Sequence, residues 1–188
     1  MSYTVYYWGA CQRFWGRATG IVLTLEEAGA TYSIKERDEA PADIGFTVPM
    51  VTLETGQHMT QTPAILNVLG EQLGLNGQSA KEKILCQQRV LDVDDIFNEA
   101  QRGKMTDKPE RADKWFGLLE KQLEQHKFLV CNTPTVADFH AVFAFEWVHK
   151  SYSPTGYSEF PRLTEWWQNI CEHECVKQMK ASGVPMIP

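Results

Sequence analysis

The chain has 188 residues, and its 18 Lys and Arg side chains against 24 Asp and Glu give a formal net charge of −6. This acidic balance argues against nucleic acid or an anionic membrane as a partner, and no apolar run approaches the length of a bilayer-spanning helix. The length is sufficient for a substantial hydrophobic core, in one domain or in two small ones.

The cysteine pattern indicates the compartment. Five cysteines are scattered along the chain, at positions 11, 86, 131, 171 and 175. An odd, dispersed set of cysteines favours free thiols in a reducing environment, and the first residues lack the charged region and apolar core of a signal peptide. We therefore expect a cytoplasmic globular protein.

Strand and helix patterns alternate over the first 75 residues. The predicted strands are 3–8, 31–36 and a hairpin of 50–53 with 57–60, and the predicted helices are 14–28 and 63–73. Residues 38–47 look irregular because they contain Pro41 and Gly45. This βαβ–ββα order predicts a small mixed sheet with helices packed on it.

Beyond residue 76 the pattern becomes helical throughout. Residues 76–80 read as a linker, with Ser79 as the cap of the next helix. The predicted helices are 79–103, 109–126, 135–151, 160–173 and 175–181. Thr135 and Asp138 resemble a capping box at the start of the strongly apolar third helix. We expect an α/β unit over 1–75 and an all-helical unit over 81–188.

Two dipeptides suggest a pocket for a small peptide. Because Pro49 has no N–H and pushes the preceding residue to extended geometry, the backbone of Val48 is available to pair with an extended ligand. Gln61 and Thr62 stand where a helix should begin, and a helix N-terminus attracts a carboxylate. These residues predict a site for an extended peptide with an acidic end.

Together these segments resemble the cytosolic glutathione transferases over essentially the whole chain, nearest to the tyrosine-type group that includes the mu and sigma classes. That family has a thioredoxin-like N-terminal domain and an all-helical C-terminal domain. The segments that carry the resemblance, in the family's order, are Tyr6-Tyr7-Trp8, Gly16-Arg17-Ala18, Leu25-Glu26-Glu27-Ala28-Gly29, Val48-Pro49, Gln61-Thr62-Pro63-Ala64-Ile65-Leu66 and Pro134-Thr135-Val136-Ala137-Asp138.

The resemblance implies that the ligand is glutathione, as a co-substrate and not as a tightly bound cofactor. Val48 would hold its cysteinyl part through main-chain hydrogen bonds, with Pro49 in the cis form. Gln61 and Thr62 would hold the γ-glutamyl end, and the Thr62 hydroxyl stands where many members have Ser. It would still be able to donate a hydrogen bond.

Four further residues are implied as glutathione contacts by the same resemblance. Trp8 directly follows Tyr7, a candidate catalytic residue. Lys35 and Arg37 are candidates for binding the glycine carboxylate of glutathione. Asp95 would come from the partner subunit of a homodimer, with Asp92 and Asp94 as close competitors. The helix 79–103 would lie at the dimer interface.

Two residues compete for the catalytic role. Glutathione reacts as its thiolate, so the site needs a group that stabilises this anion. Tyr7 would donate a hydrogen bond to the sulfur, whereas Cys11, near a helix start, would form mixed disulfides as cysteine-type members do. Eight residues separate Tyr7 from Gly16 where tyrosine-type members usually have about four. We favour Tyr7 and expect Tyr6 to be a core residue.

The sequence therefore predicts a homodimeric glutathione transferase that conjugates small hydrophobic electrophiles, a detoxification activity. The alternatives are a thiol transferase or peroxidase that uses Cys11, and a non-catalytic ligand-binding relative. Met105, Trp115 and Met186 are candidates for the wall of the electrophile site. The segment with Cys171, His173 and Cys175 suggests zinc, but only the cysteine pair has i,i+4 spacing and no second cluster completes four ligands. We predict no metal.

Overall fold

The computed structural model of the protein describes residues 2–8, 16–42, 45–151 and 158–184. Two residues singled out above, Cys11 and Met186, lie outside these ranges. We use the term sheet region for residues 2–75 and helical region for residues 80–184.

The sheet region contains a four-stranded mixed sheet in the order β2-β1-β3-β4. Its strands are β1 (Tyr3–Tyr7), β2 (Tyr32–Glu36), β3 (Met50–Thr52) and β4 (His58–Thr60). Strand β1 pairs in parallel with β2 and antiparallel with β3, and β3 pairs antiparallel with β4. The predicted βαβ–ββα order is confirmed, as is the hairpin around Thr55 and Gly56.

Eight α-helices lie within the described part of the chain. Two belong to the sheet region, α1 (Thr19–Glu27) and α2 (Thr62–Leu73). The others are α3 (Ala80–Gln101), α4 (Lys104–Asp107), α5 (Pro109–Gln122), α6 (Val136–Ser151), α7 (Pro161–Cys171) and α8 (Glu174–Ala181). The short α4 is not predicted from sequence. None of the described helices is long and apolar enough to cross a lipid bilayer.

Helix α1 packs directly against the helical region. Its residues from Thr19 to Leu25 are all buried. An added Cβ on Gly20 would lie 2.7 Å from the Cα of His140 on α6, which is closer than a side-chain carbon can approach. The two helices therefore meet backbone to backbone at Gly20, and α1 also packs against α2 and α8.

Two helix starts are fixed by side chains that the sequence indicates. Ser79 accepts a hydrogen bond from the Glu82 N–H at 3.2 Å, and Glu82 in turn accepts one from the Ser79 N–H at 2.8 Å, so the capping box is complete. At the start of α6, the buried Asp138 carboxylate accepts hydrogen bonds from Thr135, Leu129 and the Trp166 indole. This carboxylate joins α6 to α7 and to the preceding loop.

Candidate functional site

One end of the sheet gathers the residues that the sequence singles out. In β3, Met50 lies opposite Tyr6 of β1 on one side and opposite Thr60 of β4 on the other. Continuing this antiparallel register by one residue places Pro49 beside Tyr7 and beside Gln61. The topology thus brings the candidate catalytic tyrosine and both candidate glutathione-binding dipeptides to the same edge.

The Tyr7 hydroxyl is held against the start of α1. It accepts a hydrogen bond from the Arg17 backbone N–H at 3.1 Å. An added Cβ on Gly16 would lie 2.5 Å from the hydroxyl oxygen, so the close contact requires glycine there. Gly16 also has a positive φ of 41°, which favours glycine for a second reason. The eight residues between Tyr7 and Gly16 therefore do not separate the tyrosine from the Gly16-Arg17-Ala18 segment.

Burial affects the ionisation of this tyrosine. Desolvation raises the pKa of Tyr7 above its ordinary value, while the hydrogen bond and the positive charge of Arg17 partly oppose that shift. The phenol is therefore protonated at neutral pH and can donate a hydrogen bond. Tyr6 is also buried, as expected, and points to the opposite face of the sheet.

The Val48-Pro49 peptide bond is cis, as the family resemblance implies. Both residues are buried. They precede Met50, the first residue of the β3 ladder. The Val48 main chain thus lies beyond the paired part of the strand, at the edge where Tyr7 ends β1.

Gln61 and Thr62 form the start of α2. Gln61 is exposed and has φ 71° and ψ 109°, an unusual conformation for a residue other than glycine. Such backbone strain clusters at ligand-binding sites. The Gln61 side chain does not cap the helix, so the first N–H groups of α2 are available to an anion. Thr62 is buried, and its hydroxyl lies 3.5 Å from the Arg17 carbonyl oxygen, to which it donates.

Trp8 and Arg37 meet each other beside this edge, whereas Lys35 is turned elsewhere. The Arg37 guanidinium lies over the Trp8 ring, 5.0 Å from its centre, and Trp8 is half exposed. Lys35 pairs with Tyr6 in the strand register, so its side chain emerges on the face opposite to Tyr7. Its ammonium lies 3.8 Å from Glu39.

The three acidic candidates on α3 have different surroundings. Asp92 pairs with the buried Arg89, and Asp94 pairs with Arg17 at 3.2 Å. Asp95 is exposed. It shares one helix face with the exposed apolar residues Ile84 and Leu91, since the three are spaced by seven and four positions.

Arg17 connects the site to the helical region, a role that the sequence motif did not reveal. Its guanidinium donates hydrogen bonds to Asp94 at 3.2 Å and to Asn98 at 2.7 Å. It also lies 4.4 Å from the centre of the Phe97 ring. The only sequence signal for this residue is its place in Gly16-Arg17-Ala18. Its partners on α3 could not be read from that motif.

Asp94 lies between Arg17 and a buried histidine. The nearest approach of the His140 Nε2 to the Asp94 carboxylate is 3.8 Å. Burial raises the pKa of Asp94, but His140, Arg17 and Asn98 outweigh burial and hold that pKa below its ordinary value. Asp94 is therefore a carboxylate at neutral pH, and it anchors the Arg17 side chain.

The sequence-based interpretation of the electrophile wall is partly wrong. Met105 is fully buried, so no substrate can contact it. Trp115 is partly buried, and its indole N–H donates to Glu99 at 3.3 Å. The helical-region ring that lies against Arg17 is Phe97, which packs against Phe143 and Trp147 with ring centres 5.4 and 6.0 Å away.

Comparisons of the sequence with known proteins point to one family. The family model described as the glutathione S-transferase C-terminal domain matches residues 95–174. Human glutathione S-transferase A2 is 30% identical over 154 residues, which cover 75% of this chain and 68% of that protein. A glutathione S-transferase from Gallus gallus is 32% identical over 129 residues, and the match covers 62% of this chain but only 58% of that relative.

Solved structures show the same fold over almost the whole chain. The monomeric glutathione S-transferase Na-GST-3 of Necator americanus aligns with a TM-score of 0.80 at 20% identity, covering 97% of this chain and 98% of that one. The enzyme from Ascaris lumbricoides also gives 0.80, at 21% identity and 97% coverage of both chains.

The protein thus consists of a thioredoxin-like N-terminal domain, which carries the cis-proline edge of the sheet, and an all-helical C-terminal domain. Given the match to the human relative, the chain belongs to the glutathione S-transferase family.

Proposed function

We propose that this protein is a glutathione transferase in which Tyr7 stabilises the glutathione thiolate. The observation that carries the proposal is the buried Tyr7 hydroxyl, fixed at 3.1 Å from the Arg17 N–H at the sheet edge where Val48, Pro49 and Gln61 converge. A hydroxyl that accepts one hydrogen bond can donate another at the same time. The raised pKa of Tyr7 keeps its proton in place for that donation.

In the proposed reaction the glutathione thiol loses its proton to solvent, and the thiolate accepts a hydrogen bond from Tyr7. The sulfur then attacks an electrophilic carbon of a small hydrophobic compound, so a C–S bond forms and the leaving group departs with its electron pair. Phe97, which lies against Arg17, is buried together with Phe143. Trp147, which packs on both of these rings, is partly exposed and is proposed to supply apolar surface on the side of the helical region.

Glutathione binding would use the main chain of Val48 and the start of α2. The extended residue before cis-Pro49 would pair with the cysteinyl part, and Gln61, Thr62 and the N–H groups of α2 would take the γ-glutamyl carboxylate. Trp8 and Arg37, in contact with each other at the same edge, are proposed to line the glycine end. Lys35 is proposed as a more distant positive charge.

The active form is proposed to be a homodimer in which Asp95 of one subunit reaches the glutathione of the other. The supporting observation is the exposed α3 face of Ile84, Leu91 and Asp95, together with the almost fully exposed Phe46. Exposed apolar side chains on one helix face are typical of a subunit interface. Because a structural relative is described as monomeric, the mass of the protein in solution must be measured. Sedimentation equilibrium at the mass of a single chain would overturn the dimer.

We also propose a tyrosine-type class nearest to mu and sigma, a cytoplasmic location, and a division into a domain of residues 1–75, a linker of 76–80 and a helical domain of 81–188. The class rests on Tyr7-Trp8 at the end of β1. The four cysteines that the structure describes are free thiols, which suits a reducing compartment. The Ser79 cap supports the boundary before α3.

The central test is the substitution Tyr7→Phe, measured by conjugation of glutathione to a chloronitrobenzene acceptor. Removing one preorganised donor to a developing or bound anion costs about 10²-fold in rate, so we expect kcat/KM to fall by about that factor. The spectroscopic pKa of enzyme-bound glutathione should rise towards that of the free thiol.

Tyr6→Phe is the matched control, because it makes the same chemical change at the neighbouring buried tyrosine on the other sheet face. Its rate should stay close to that of the wild type. Cys11→Ala tests the alternative chemistry. If Tyr7→Phe keeps full activity while Cys11→Ala abolishes disulfide exchange, the protein is a cysteine-type thiol transferase. Glutathione binding without turnover of any acceptor would make it a ligand-binding relative.

A further inference from the structure

Three potential metal ligands of different chemistry converge where the two regions meet, away from Tyr7. Glu27 is the last residue of α1 in the sheet region. His173 precedes α8 as its N-cap, and Cys175 lies in the first turn of that helix. One ligand atom from each residue lies within 4.8 Å of the other two.

The separations match those of ligands around a single ion. The His173 Nδ1 lies 3.3 Å from the Cys175 Sγ and 3.6 Å from the Glu27 Oε2. Tetrahedral zinc, with bonds of about 2.3 Å to sulfur and about 2.1 Å to nitrogen and oxygen, sets neighbouring ligand atoms about 3.3–3.6 Å apart. Only small side-chain shifts are needed for all three atoms to bind one ion.

A Cys–His–Glu catalytic relay explains the cluster less well. In such a relay the nucleophile and the orienting carboxylate contact opposite ring nitrogens of the histidine. Here both the thiol and the carboxylate approach Nδ1. In addition the Cys175 side chain is buried, with 7% of its surface exposed, so a substrate would not reach the sulfur easily. The three ligand atoms instead surround one position, as ligands surround a metal ion.

The surroundings suit a cation. Glu27 lies at the C-terminal end of α1, where the helix dipole favours positive charge, although the N-terminus of α8 beside His173 and Cys175 opposes it. The side chains of Glu27 and His173 are 27% and 21% exposed, so an ion can enter from solvent towards the buried sulfur. The Phe139 ring packs edge-on against the imidazole, with centres 5.7 Å apart, and fixes its orientation.

We propose that Glu27, His173 and Cys175 bind one Zn²⁺ ion, with water as the fourth ligand. A mixed nitrogen, sulfur and oxygen donor set is one that zinc accepts. Zinc takes the place of the thiol proton, which is released to solvent, and the Zn–S bond forms with the resulting thiolate. The site would tie the end of α1 to the start of α8.

Without a metal the thiol is protonated at neutral pH. Burial, and next the Glu27 carboxylate, raise the pKa of Cys175 to about 12, although the backbone of Cys175 and Val176 opposes this through hydrogen bonds to the sulfur.

The sequence pattern alone pointed to a different set of ligands. It paired Cys171 with Cys175 and found no further cluster, and on that basis we predicted no metal. The structure leaves Cys171 out of the group and brings in Glu27 from the sheet region. The proposal replaces that prediction.

The test is a titration of the full-length protein with Co²⁺, which gives a thiolate-to-metal charge-transfer band when a cysteine is a ligand. We expect the band to saturate at one equivalent and to disappear when Zn²⁺ is added. Cys175→Ser should abolish the band. Cys171→Ser is the matched control, since it removes a thiol from the same helix pair, and it should keep the band.

Glu27→Gln gives a second test that leaves both thiols in place. We expect its affinity for Zn²⁺ to fall by at least about tenfold, as removal of a direct ligand should cost no less than loss of an outer-shell partner. Circular dichroism checks that each variant is folded.

The proposal is overturned by three results: no thiolate band at excess Co²⁺, a band that survives in Cys175→Ser, or an unchanged Zn²⁺ affinity in Glu27→Gln. None of these readouts depends on glutathione conjugation, so the zinc site and the transferase activity can fail separately.

Discussion

The two ends of α1 both meet the helical region, but they do so with different chemistry. At its start, the Gly16-Arg17 segment shares hydrogen bonds with Tyr7, Thr62 and Asp94, and these bonds fix the position of Tyr7, the proposed catalytic group. At its end, Glu27 joins two donors whose atoms converge on a single point. One end of the helix is therefore an anchor, and the other is a potential ligand set.

The difference shows how a buried helix can serve two purposes. The first turn of α1 is packed against the backbone of α6 at Gly20 and cannot shift easily. Because this packing is rigid, the contacts at the start of the helix can fix the position of Tyr7. At the other end, the same packing can hold the Glu27 carboxylate close to His173 and Cys175. Substitutions at matched positions should separate these roles.

The largest effect is expected for Gly16→Ala. The added Cβ would overlap the Tyr7 oxygen at 2.5 Å, so the ring must move from its position beside Arg17. We expect kcat/KM to fall by about 10²-fold, as for loss of the donor itself, with the dissociation constant of glutathione changed less. Steady-state kinetics and glutathione titration measure the two quantities.

Gly29→Ala, just after the other end of α1, is the control for backbone strain. Gly29 also has a positive φ, of 60°, but an added Cβ there meets nothing within 4 Å. Both substitutions should lose about 1–2 kcal/mol of stability from the left-handed conformation. Gly29→Ala should keep its activity. Equal loss of activity in both variants would mean that strain, and not the contact with Tyr7, explains the result.

A smaller effect is expected for Asp94→Asn, which removes the charge that holds the Arg17 side chain. Hydrogen bonds to a charged group contribute about 1.5–3 kcal/mol. The side chains of Arg17 and Asp94 are both about a quarter exposed, so solvent weakens their interaction. We therefore expect a loss of about 1–2 kcal/mol in the free energy of unfolding. Urea denaturation at neutral pH measures it. Glu27→Gln, studied with a chelator to remove metal, is the counterpart at the other end and should cost about 0.5 kcal/mol or less.

The pH dependence provides a further check on Asp94. Its pKa in the folded protein lies below the ordinary value of 3.8. Its stabilising effect is therefore fully present above about pH 4, and it is lost as pH falls through the lower folded pKa. The difference between the wild type and Asp94→Asn should shrink in that acidic range. A difference that stays constant down to low pH would contradict an electrostatic role.

Local patterns predicted most of the fold. The order of strands and helices along the chain, the hairpin and the Ser79 cap depend on residues close together in sequence, so they could be read directly. The cis bond before Pro49 came from the family resemblance, because cis is the minor form for most prolines.

Contacts between distant residues could not be predicted in the same way. Arg17 carried no visible partner, since Asp94 and Asn98 lie on a helix far along the chain. Met105 was misread because an apolar residue near the end of a helix signals burial without showing whether a core or a cleft receives it. Glu27 joins Cys175 only through the packing of α1 against α8.

Arg17 uses its main chain and its side chain for different partners. Its N–H contacts Tyr7 and its carbonyl accepts from Thr62, whereas its guanidinium contacts Asp94 and Asn98. A substitution at this position removes only the side-chain contacts, because every residue except proline keeps both backbone groups. The main-chain contacts of the proposed thiol site therefore do not depend on which side chain stands at position 17. A variant with another residue at position 17 would lose the ion pair with Asp94 and would still present the same amide to Tyr7.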